Sequence, residues 1–309
     1  MASDTPFRIF VGTEKAQTVP YQVLAYSIRK HASIPVEITP MIDLPDVPQP
    51  RGYDNRSRTG FSLYRFVIPR LCGYEGKALY LDADMLVFAD VLELDRLEFG
   101  EAKVLATLQP DPPTAWIGNP KFRPGPHSAC LLLDCGRLDW RAEDIVAEID
   151  RGTYTYADLV RELVLLEPGE LGTTIPKEWN HLEVYEPGVT RCTHFTVVSD
   201  QPWKVDGNPL DDVWTTAFRE ALAAGAVDPD DVIRGIIDEE LKPSLAAHLA
   251  VAPGVSDAVI DAVTALGYHR AREQQLERTN QAMLDSSSWK VGSALTRSLT
   301  APRAWLRRS

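Results

Sequence analysis

Residues 79–91 read LYLDADMLVFADV and form the most informative stretch of this 309-residue chain. An apolar run is followed by two acidic residues one position apart, Asp82 and Asp84. In an extended backbone alternate side chains share a side, so the two carboxylates lie together while Ala83 points away. A second apolar run begins directly at Met85. We therefore predict a buried strand that ends in a pair of carboxylates within the fold rather than on a loop tip.

The flanking sequence alternates between strand-like and helix-like patterns. Short apolar runs predict strands at 7–11, 34–42, 77–81, 104–108, 129–133 and 191–199. Apolar residues at helical spacing predict helices at 20–31, 61–71 and 142–149. Alternation of strand and helix is typical of a parallel sheet with helices on both faces.

The pattern changes after about residue 202. Helical spacing predicts four further helices, at 211–224, 229–239, 243–251 and 255–284. The last segment, 286–309, contains five basic residues and no acidic one. We therefore expect an α/β domain at 1–210, a helical region at 211–285 and a basic amphipathic tail at 286–309.

The paired carboxylates predict a cation site. Adjacent carboxylates repel each other unless a cation lies between them, and hard divalent ions take carboxylate and phosphate oxygens together. Ligands of open α/β sheets bind beyond the carboxyl ends of the strands. His194, in the strand-like segment 191–199, would complete such a site because imidazole is a good ligand for manganese. The alternatives are a solvated acidic turn at Asp82 and Asp84, and a core or surface role for His194.

Composition narrows the functional classes. The net charge of −12 argues against a nucleic-acid partner, because phosphate contacts need clustered basic residues. The four cysteines show no CxxC spacing, so we expect buried, reduced thiols. We find no secretory signal pattern and no apolar run long enough to span a membrane, so we expect a cytoplasmic protein.

Four segments resemble, in order, glycosyltransferase family 8, the family of glycogenin and of bacterial lipopolysaccharide galactosyltransferases. They are RIFVGTEK at 8–15, SLYRFVIPRLCGYEGKALYLDADM at 62–85, PHSACLLLDC at 126–135 and HFTVVSDQPWK at 194–204. The resemblance covers about two thirds of the chain. It implies an α/β fold of the GT-A, Rossmann-like kind, with a mixed central sheet flanked by helices, here followed by a helical C-terminal extension. It also implies retaining transfer of a sugar from a nucleotide-diphosphate donor, UDP-linked, to a hydroxyl of a glycan or lipid-linked acceptor.

The same resemblance implies site residues. Asp82, Asp84 and His194 would bind Mn²⁺ (or Mg²⁺). The residues implied to contact the nucleotide are Val11, Gly12, Thr13, Asp82, Ala83 and Lys204. Those implied to contact the donor sugar are His127, Ser128 and Asn180. Asp158 and Arg65 are implied at the reacting centre, Asp158 as the nearest counterpart of an Asp-Gln pair that the family carries.

The chain departs from the family at Gln201, where the family has a lysine before Pro-Trp. The positive charge on the leaving diphosphate would then come from Lys204, from Arg65 or from the metal alone. Other readings of single residues stay open: Arg65 as a surface residue paired with an acid, Asn180 as a turn former, and His127 as a cap.

Two rival functions also remain. A sugar-1-phosphate nucleotidyltransferase should carry a glycine-rich basic loop after its first strand, but VGTEKAQ has one glycine. A non-catalytic, scaffold-like relative should lack the metal ligands, and all three are present.

The tail at 286–309 combines basic residues with Trp289 and Trp305. Such a segment fits an anionic membrane surface, so we expect peripheral attachment to the cytoplasmic membrane face. The alternative is that the tail docks on the acidic body of the same protein.

Overall fold

The computed structural model describes residues 5–52, 59, 61–109 and 124–285. Within these residues the main sheet has six strands in the order β2-β1-β3-β6-β5-β7. Its strands are β1 (Phe7–Gly12), β2 (Val36–Met41), β3 (Lys77–Asp82), β5 (Val104–Gln109), β6 (Gly125–Asp134) and β7 (Leu171–Ile175). A smaller sheet has the order β4-β9-β8 and consists of β4 (Met85–Val87), β8 (His181–Leu182) and β9 (Cys192–His194).

Strand directions in the main sheet are mixed. Strand β1 is parallel to β2 and β3, and β7 is parallel to β5. Strand β6 is antiparallel to both of its neighbours, β3 and β5. The mixed sheet flanked by helices is thus confirmed, whereas a wholly parallel sheet is wrong at β6. The apolar pattern of β6 reports burial on both faces and carries no information on strand direction.

Helices account for most of the remaining regular structure. The α-helices are α1 (Thr18–His31), α2 (Ile68–Leu71), α3 (Leu92–Asp95), α4 (Ala142–Arg151), α5 (Tyr156–Glu162), α6 (Asp211–Ala223), α7 (Pro229–Ile237) and α8 (Asp257–Asp285). Short 3₁₀ helices occupy Lys15–Gln17, Tyr64–Val67, Lys177–Asn180 and Pro243–Val251. None of the helices among these residues combines the length and the apolarity needed to cross a bilayer.

Three predicted elements differ in kind or are much shorter than predicted. The helix predicted at 61–71 is a 3₁₀ turn followed by the single turn of α2, and Pro69 lacks the N–H that a continuous helix would use. The segment 243–251 is 3₁₀ rather than α-helical. The strand predicted at 191–199 is limited to the three residues of β9.

Apolar side chains cover both faces of the main sheet. In β3, Tyr80 points into the core that α4 and α5 close, while Leu79 and Leu81 point into the core beneath α1. This alternation is the period of two that a strand imposes on its side chains. Because Asp82 follows in the same register as Tyr80, the two side chains share a side of the strand.

A third core joins the C-terminal helices to the loop that follows β9. Trp203 of this loop packs between Phe195 and Trp214, with ring centroids 5.6 and 5.4 Å away. Lys242 is buried beneath it: its backbone N–H donates to the Trp203 carbonyl at 2.8 Å, and its ammonium group donates to Asp211 Oδ1 at 2.6 Å. The helical region therefore packs against this loop and stabilises it.

Candidate metal and donor site

Two strand pairings bring the predicted ligands together. Strands β1 and β3 run parallel and end side by side, with Gly12 opposite Asp82. Strands β4 and β9 run antiparallel, which sets Met85 opposite His194. One ligand atom each from Asp82, Asp84 and His194 lies within 4.8 Å of the others. The structure thus groups the three residues that the sequence singled out, at the carboxyl end of the parallel strands.

Asp82 is fixed by two neighbours. The Arg65 guanidinium donates through Nη2 to Asp82 Oδ1 at 3.2 Å, and the Tyr80 hydroxyl donates to the same oxygen. Arg65 itself is 4 % exposed and stacks over the Tyr80 ring, 4.5 Å from its centroid. Burial raises the pKa of Asp82, the Arg65 charge lowers it and the Asp84 charge raises it, with a raised pKa as the net result. A cation at this site would relieve the repulsion between the two carboxylates.

Asp84 carries the observation that most favours a metal. Its Oδ2 accepts a hydrogen bond from Gln201 Nε2 at 3.2 Å. Its Oδ1 is buried 3.1 Å from His194 Nε2, and among the described residues it accepts no hydrogen bond when that nitrogen carries no proton. A buried carboxylate oxygen without a hydrogen bond is costly unless a cation contacts it. Two carboxylates and an imidazole fit Mn²⁺ or Mg²⁺ as ligands, with the imidazole favouring Mn²⁺.

His194 is held from its other side. Its Nδ1 lies 2.8 Å from Oδ1 of Asn180, a side chain with 0 % exposure, and the Asn180 amide nitrogen donates to Thr107 Oγ1 at 3.1 Å. Burial lowers the pKa of His194, and the Asp84 carboxylate raises it by more, so the pKa is raised. Asn180 therefore lies behind the imidazole, with both amide atoms in contact with protein groups.

His127 and Ser128, predicted near the donor sugar, join the same cluster. The His127 ring makes an edge contact with His194, with centroids 5.5 Å apart. Burial, aided by His194 and Arg65, lowers the pKa of His127 to about 3, so this imidazole is neutral at ordinary pH. Arg65 Nη1 donates to the carbonyl and the hydroxyl of Ser128, the latter at 2.8 Å.

With the Ser128 contacts and a further bond from Nε to the Ser62 carbonyl at 3.2 Å, all three guanidinium nitrogens of Arg65 have protein acceptors. Arg65 is a buried residue whose charge is directed at Asp82, not a surface residue.

The residues predicted to contact the nucleotide line the end of β1. Val11 and Thr13 are buried, and the Ala83 N–H donates to the Gly12 carbonyl at 3.0 Å. A methyl group on Gly12 would lie 2.2 Å from the Tyr80 hydroxyl oxygen, so any larger residue at this position would have to displace Tyr80. The backbone beside Asp82 is thus packed directly against Tyr80.

Lys204 is half-buried near the acidic pair. Burial lowers its pKa, and the charges of Asp84 and Glu14 act in the opposite direction. Lys204 directly follows Trp203. Because Asp82 forms its ion pair with Arg65, the Lys204 ammonium group is a second cation near the acidic pair.

Asp158 stands apart from this cluster. It lies at the N-terminus of α5, where its carboxylate accepts hydrogen bonds from the Thr155 N–H and hydroxyl, both at 2.8 Å. The Asp158 N–H in turn donates to Thr155 Oγ1 at 3.2 Å, which completes a capping box. No contact among the described residues links Asp158 to the Asp82, Asp84 and His194 group.

Sequence reasoning missed Tyr80, Thr107 and the contact of Gln201 with Asp84. Tyr80 could have been predicted from the sequence, because strand alternation places it on the same side as Asp82 two residues later. Thr107 lies in a distant segment and shows no local pattern that would identify it, and Gln201 stands out in its segment only as a departure from the family's lysine.

The fold and this site define an α/β protein with a candidate metal centre at the carboxyl ends of β1 and β3. No family model matches the chain. It is 34 % identical to Protein CDI of Arabidopsis thaliana over 224 residues, which span 68 % of this chain and 81 % of that protein. The chain belongs to the family of Protein CDI.

Several solved structures resemble the chain at low identity. The galactosyltransferase LgtC, crystallised with donor and acceptor sugar analogues, is 13 % identical over 69 % of this chain and 96 % of its own, with a TM-score of 0.49. The glycosyltransferase GlyE of Streptococcus pneumoniae is 17 % identical over 73 % of this chain, with a TM-score of 0.48. The bifunctional glycosyltransferase WbbM is 13 % identical over 71 % of this chain, also with a TM-score of 0.48. The chain spans 65 % of the GlyE chain and half of the WbbM chain.

Proposed function

We propose that this protein is a metal-dependent glycosyltransferase. It transfers a sugar from a nucleotide-diphosphate donor, UDP-linked, to a hydroxyl of a glycan or lipid-linked acceptor, with retention of anomeric configuration. The resemblance of four sequence segments to glycosyltransferase family 8 supports the donor class and the stereochemistry. The carrying observation is the convergence of Asp82, Asp84 and His194 within 4.8 Å, with a buried Asp84 oxygen that lacks a hydrogen bond.

Asp82, Asp84 and His194 would hold Mn²⁺ (or Mg²⁺) in this site. The bound ion supplies Lewis acidity, which stabilises negative charge on the diphosphate as the glycosidic bond breaks. The remaining chemistry is that of the chain's own residues.

Arg65 and Tyr80 keep the Asp82 carboxylate in one orientation, since both donate to its Oδ1. Because Arg65 spends its hydrogen bonds on Asp82, Ser62 and Ser128, we assign the second positive charge for the leaving diphosphate to Lys204. A half-buried ammonium group interacts strongly with a phosphate because little water screens it. Neutral His127 and the Ser128 hydroxyl are the polar groups we assign to the donor sugar.

A thermal-shift panel tests the donor. Nucleotide sugars with different bases would be added to the purified full chain with and without Mn²⁺, because a ligand at 100 times its dissociation constant stabilises the fold by about 2.7 kcal/mol. We expect a UDP-sugar to raise the melting temperature in the presence of Mn²⁺, and slow release of UDP as the donor hydrolyses. Asp84→Asn is the matched control and should show neither effect.

The same panel separates the rivals. A nucleotidyltransferase would release pyrophosphate from a nucleoside triphosphate and a sugar 1-phosphate. A scaffold would bind donor without turnover, at any metal concentration. A chain that binds no nucleotide sugar in the presence of Mn²⁺ or Mg²⁺ would contradict the proposal.

We further propose that the protein works in the cytoplasm, attached peripherally to the inner face of the membrane through 286–309, where lipid-linked acceptors would be reached. This segment lies outside the described residues. Support for its role is compositional: basic residues and tryptophans in one short stretch.

A further inference from the structure

Asn180 contacts His194, one of the three candidate metal ligands, at the ring nitrogen that faces away from the site. Its Oδ1 is 2.8 Å from His194 Nδ1, and its amide nitrogen is 3.1 Å from Thr107 Oγ1. The residue ends the 3₁₀ turn Lys177–Asn180, and its backbone carbonyl accepts from Gln109 Nε2 at 2.7 Å. Strand β5 therefore fixes both the backbone and the side chain of Asn180.

We infer that Asn180 is a positioning residue that keeps the Nδ1 proton on His194 and thereby presents the Nε2 lone pair to the metal. This inference rests on the proposed metal-dependent function. A neutral imidazole carries one ring proton, and the group that faces the other nitrogen decides where it resides. With Asn180 Oδ1 as acceptor, the proton is on Nδ1 and Nε2 is free to bind a cation.

The opposite arrangement is chemically distinct. If the Asn180 amide were reversed, its NH₂ group would donate to Nδ1, and the ring proton would move to Nε2. An Nε2 proton would face Asp84 Oδ1, 3.1 Å away, and His194 could not bind a metal. The geometry favours the first arrangement, because Asn180 Oδ1 faces Nδ1 while the Asn180 amide nitrogen already donates to Thr107 Oγ1.

The sequence interpretation gave Asn180 a contact with the donor sugar. The contacts in the structure favour an indirect role instead, since the side chain is 0 % exposed and both its polar atoms face protein groups. A ligand that approaches Asp82 and Asp84 meets the other edge of the His194 ring. Asn180 therefore acts through His194.

Nitrogen-15 NMR of the metal-free wild-type protein tests the inference without any substitution. Histidine labelled at both ring nitrogens distinguishes the two tautomers, and His194→Gln identifies the resonances of His194 by their loss. At a pH where the ring is neutral, we expect the proton on Nδ1. A proton on Nε2 would overturn the inference, whatever the activity of the protein.

Mn²⁺ titration of three variants supplies the second test. Asn180→Leu removes the acceptor and should weaken Mn²⁺ binding by about 10- to 100-fold, the range measured for partners of metal-bound histidines. Asn180→Asp keeps an oxygen facing Nδ1 and should stay within a few-fold of wild type. Gln109→Met is the matched control: it loses a hydrogen bond to Asn180, but to the backbone, and should bind Mn²⁺ normally.

The two failures can be told apart. Wild-type Mn²⁺ affinity in Asn180→Leu would overturn the role of Asn180 and leave the glycosyltransferase proposal standing. Conversely, loss of Mn²⁺ binding in Asn180→Leu together with a wild-type chain that turns over no nucleotide sugar would sustain the role of Asn180 and reject the activity. If Asn180→Leu does not fold, Asn180→Asp and the wild-type tautomer decide the question.

Discussion

The side-chain amide of Gln201 joins two groups of the site: its Nε2 lies 3.2 Å from Asp84 Oδ2 and 2.9 Å from the carbonyl oxygen of Phe195. This is the position at which family 8, by the resemblance described above, has a lysine. The amide is neutral, so it orients Asp84 without competing with a cation for the carboxylate charge. Gln201 thus contacts the ligand set directly, although the sequence suggested only a missing positive charge.

Replacing Gln201 by Met should weaken Mn²⁺ binding about tenfold. The variant keeps the bulk of the side chain but loses a hydrogen bond to a charged group, which contributes about 1.5 to 3 kcal/mol. Gln22→Met is the control, because Gln22 also donates to a carboxylate, Asp231, on a different part of the fold. Isothermal titration with Mn²⁺ measures the effect, and equal affinities in wild type and Gln201→Met would contradict it.

Asp84→Asn should abolish transfer and leave the fold intact. The substitution preserves shape and removes one of two adjacent negative charges, so the metal loses a carboxylate ligand while Asp82 loses a repulsive neighbour. We expect a metal-free melting temperature within a few degrees of wild type and no further rise on adding Mn²⁺. Asp212→Asn, an exposed residue of α6, should behave as wild type. Metal-dependent turnover at the wild-type rate in Asp84→Asn would show that the acidic pair is not the metal site.

Mn²⁺ affinity should fall as the pH is lowered through the pKa of His194. The folded-state pKa is raised by Asp84 against the effect of burial, so protonated His194 stabilises the metal-free fold below the unfolded pKa. That contribution is lost as the pH rises through the folded pKa, where the neutral ring becomes available to the metal. Titrations between about pH 8 and pH 6 should show proton release on binding.

His194→Gln should bind Mn²⁺ more weakly than wild type and lose most of this pH dependence. The carboxylates remain, so some affinity should persist. An identical metal dissociation constant in the variant and in the wild type would make His194 a core residue rather than a ligand.

Gly12→Ala should impair the site more than its small size suggests. The added methyl would lie 2.2 Å from the Tyr80 hydroxyl oxygen and 2.8 Å from a Phe61 ring carbon, both closer than contact distance. Overpacking of this kind costs about 1 to 3 kcal/mol, and the displaced Tyr80 would release Asp82. Donor hydrolysis and urea denaturation measure the two effects. Gly125→Ala is the control, since a methyl there meets no atom of the described residues within 4 Å.

A chain that ends at Asp285 should retain donor hydrolysis and lose co-sedimentation with anionic vesicles. All proposed ligands precede residue 205, while each Lys or Arg near an anionic surface contributes about 1 kcal/mol to binding. Attraction of the full chain should weaken at high salt. If the tail instead docks on the acidic body, truncation should lower the melting temperature, and neither form should bind vesicles at low salt.

The strand before Asp82 and the pairing of Asp82 with Asp84 could be predicted because the residues that determine them lie in one short segment. The apolar run before Asp82 and the spacing to Asp84 are local, and strand periodicity converts them into a paired site at a sheet edge. His194 could be added because its strand-like context and chemistry suit a metal. The direction of β6 could not be derived in the same way, since the residues of a strand buried on both faces are apolar in either direction.

The neighbours of the ligands were harder to predict. Thr107 and Gln201 reach the site through pairings between segments far apart in sequence, and their side chains are common in loops and strands of any protein. Asp158 is the nearest counterpart of the family's Asp-Gln pair in the sequence. In the structure, however, its carboxylate accepts the capping hydrogen bonds from Thr155. Whether Asp158 also acts in transfer remains a prediction.

The buried Lys242 limits which parts of this protein could be exchanged with those of a relative. Its backbone N–H and ammonium group connect Pro243–Val251 and α6 to the loop of Trp203. Trp203 is two residues after Gln201, which orients Asp84, and one residue before Lys204, the cation assigned to the leaving group. A chimera that combines residues 1–210 with the helical region of another protein would contain every proposed ligand. It would still lack the Lys242 contacts that support the loop of Trp203. Homologous exchange should therefore succeed only when the loop and the helices beneath it are inherited together.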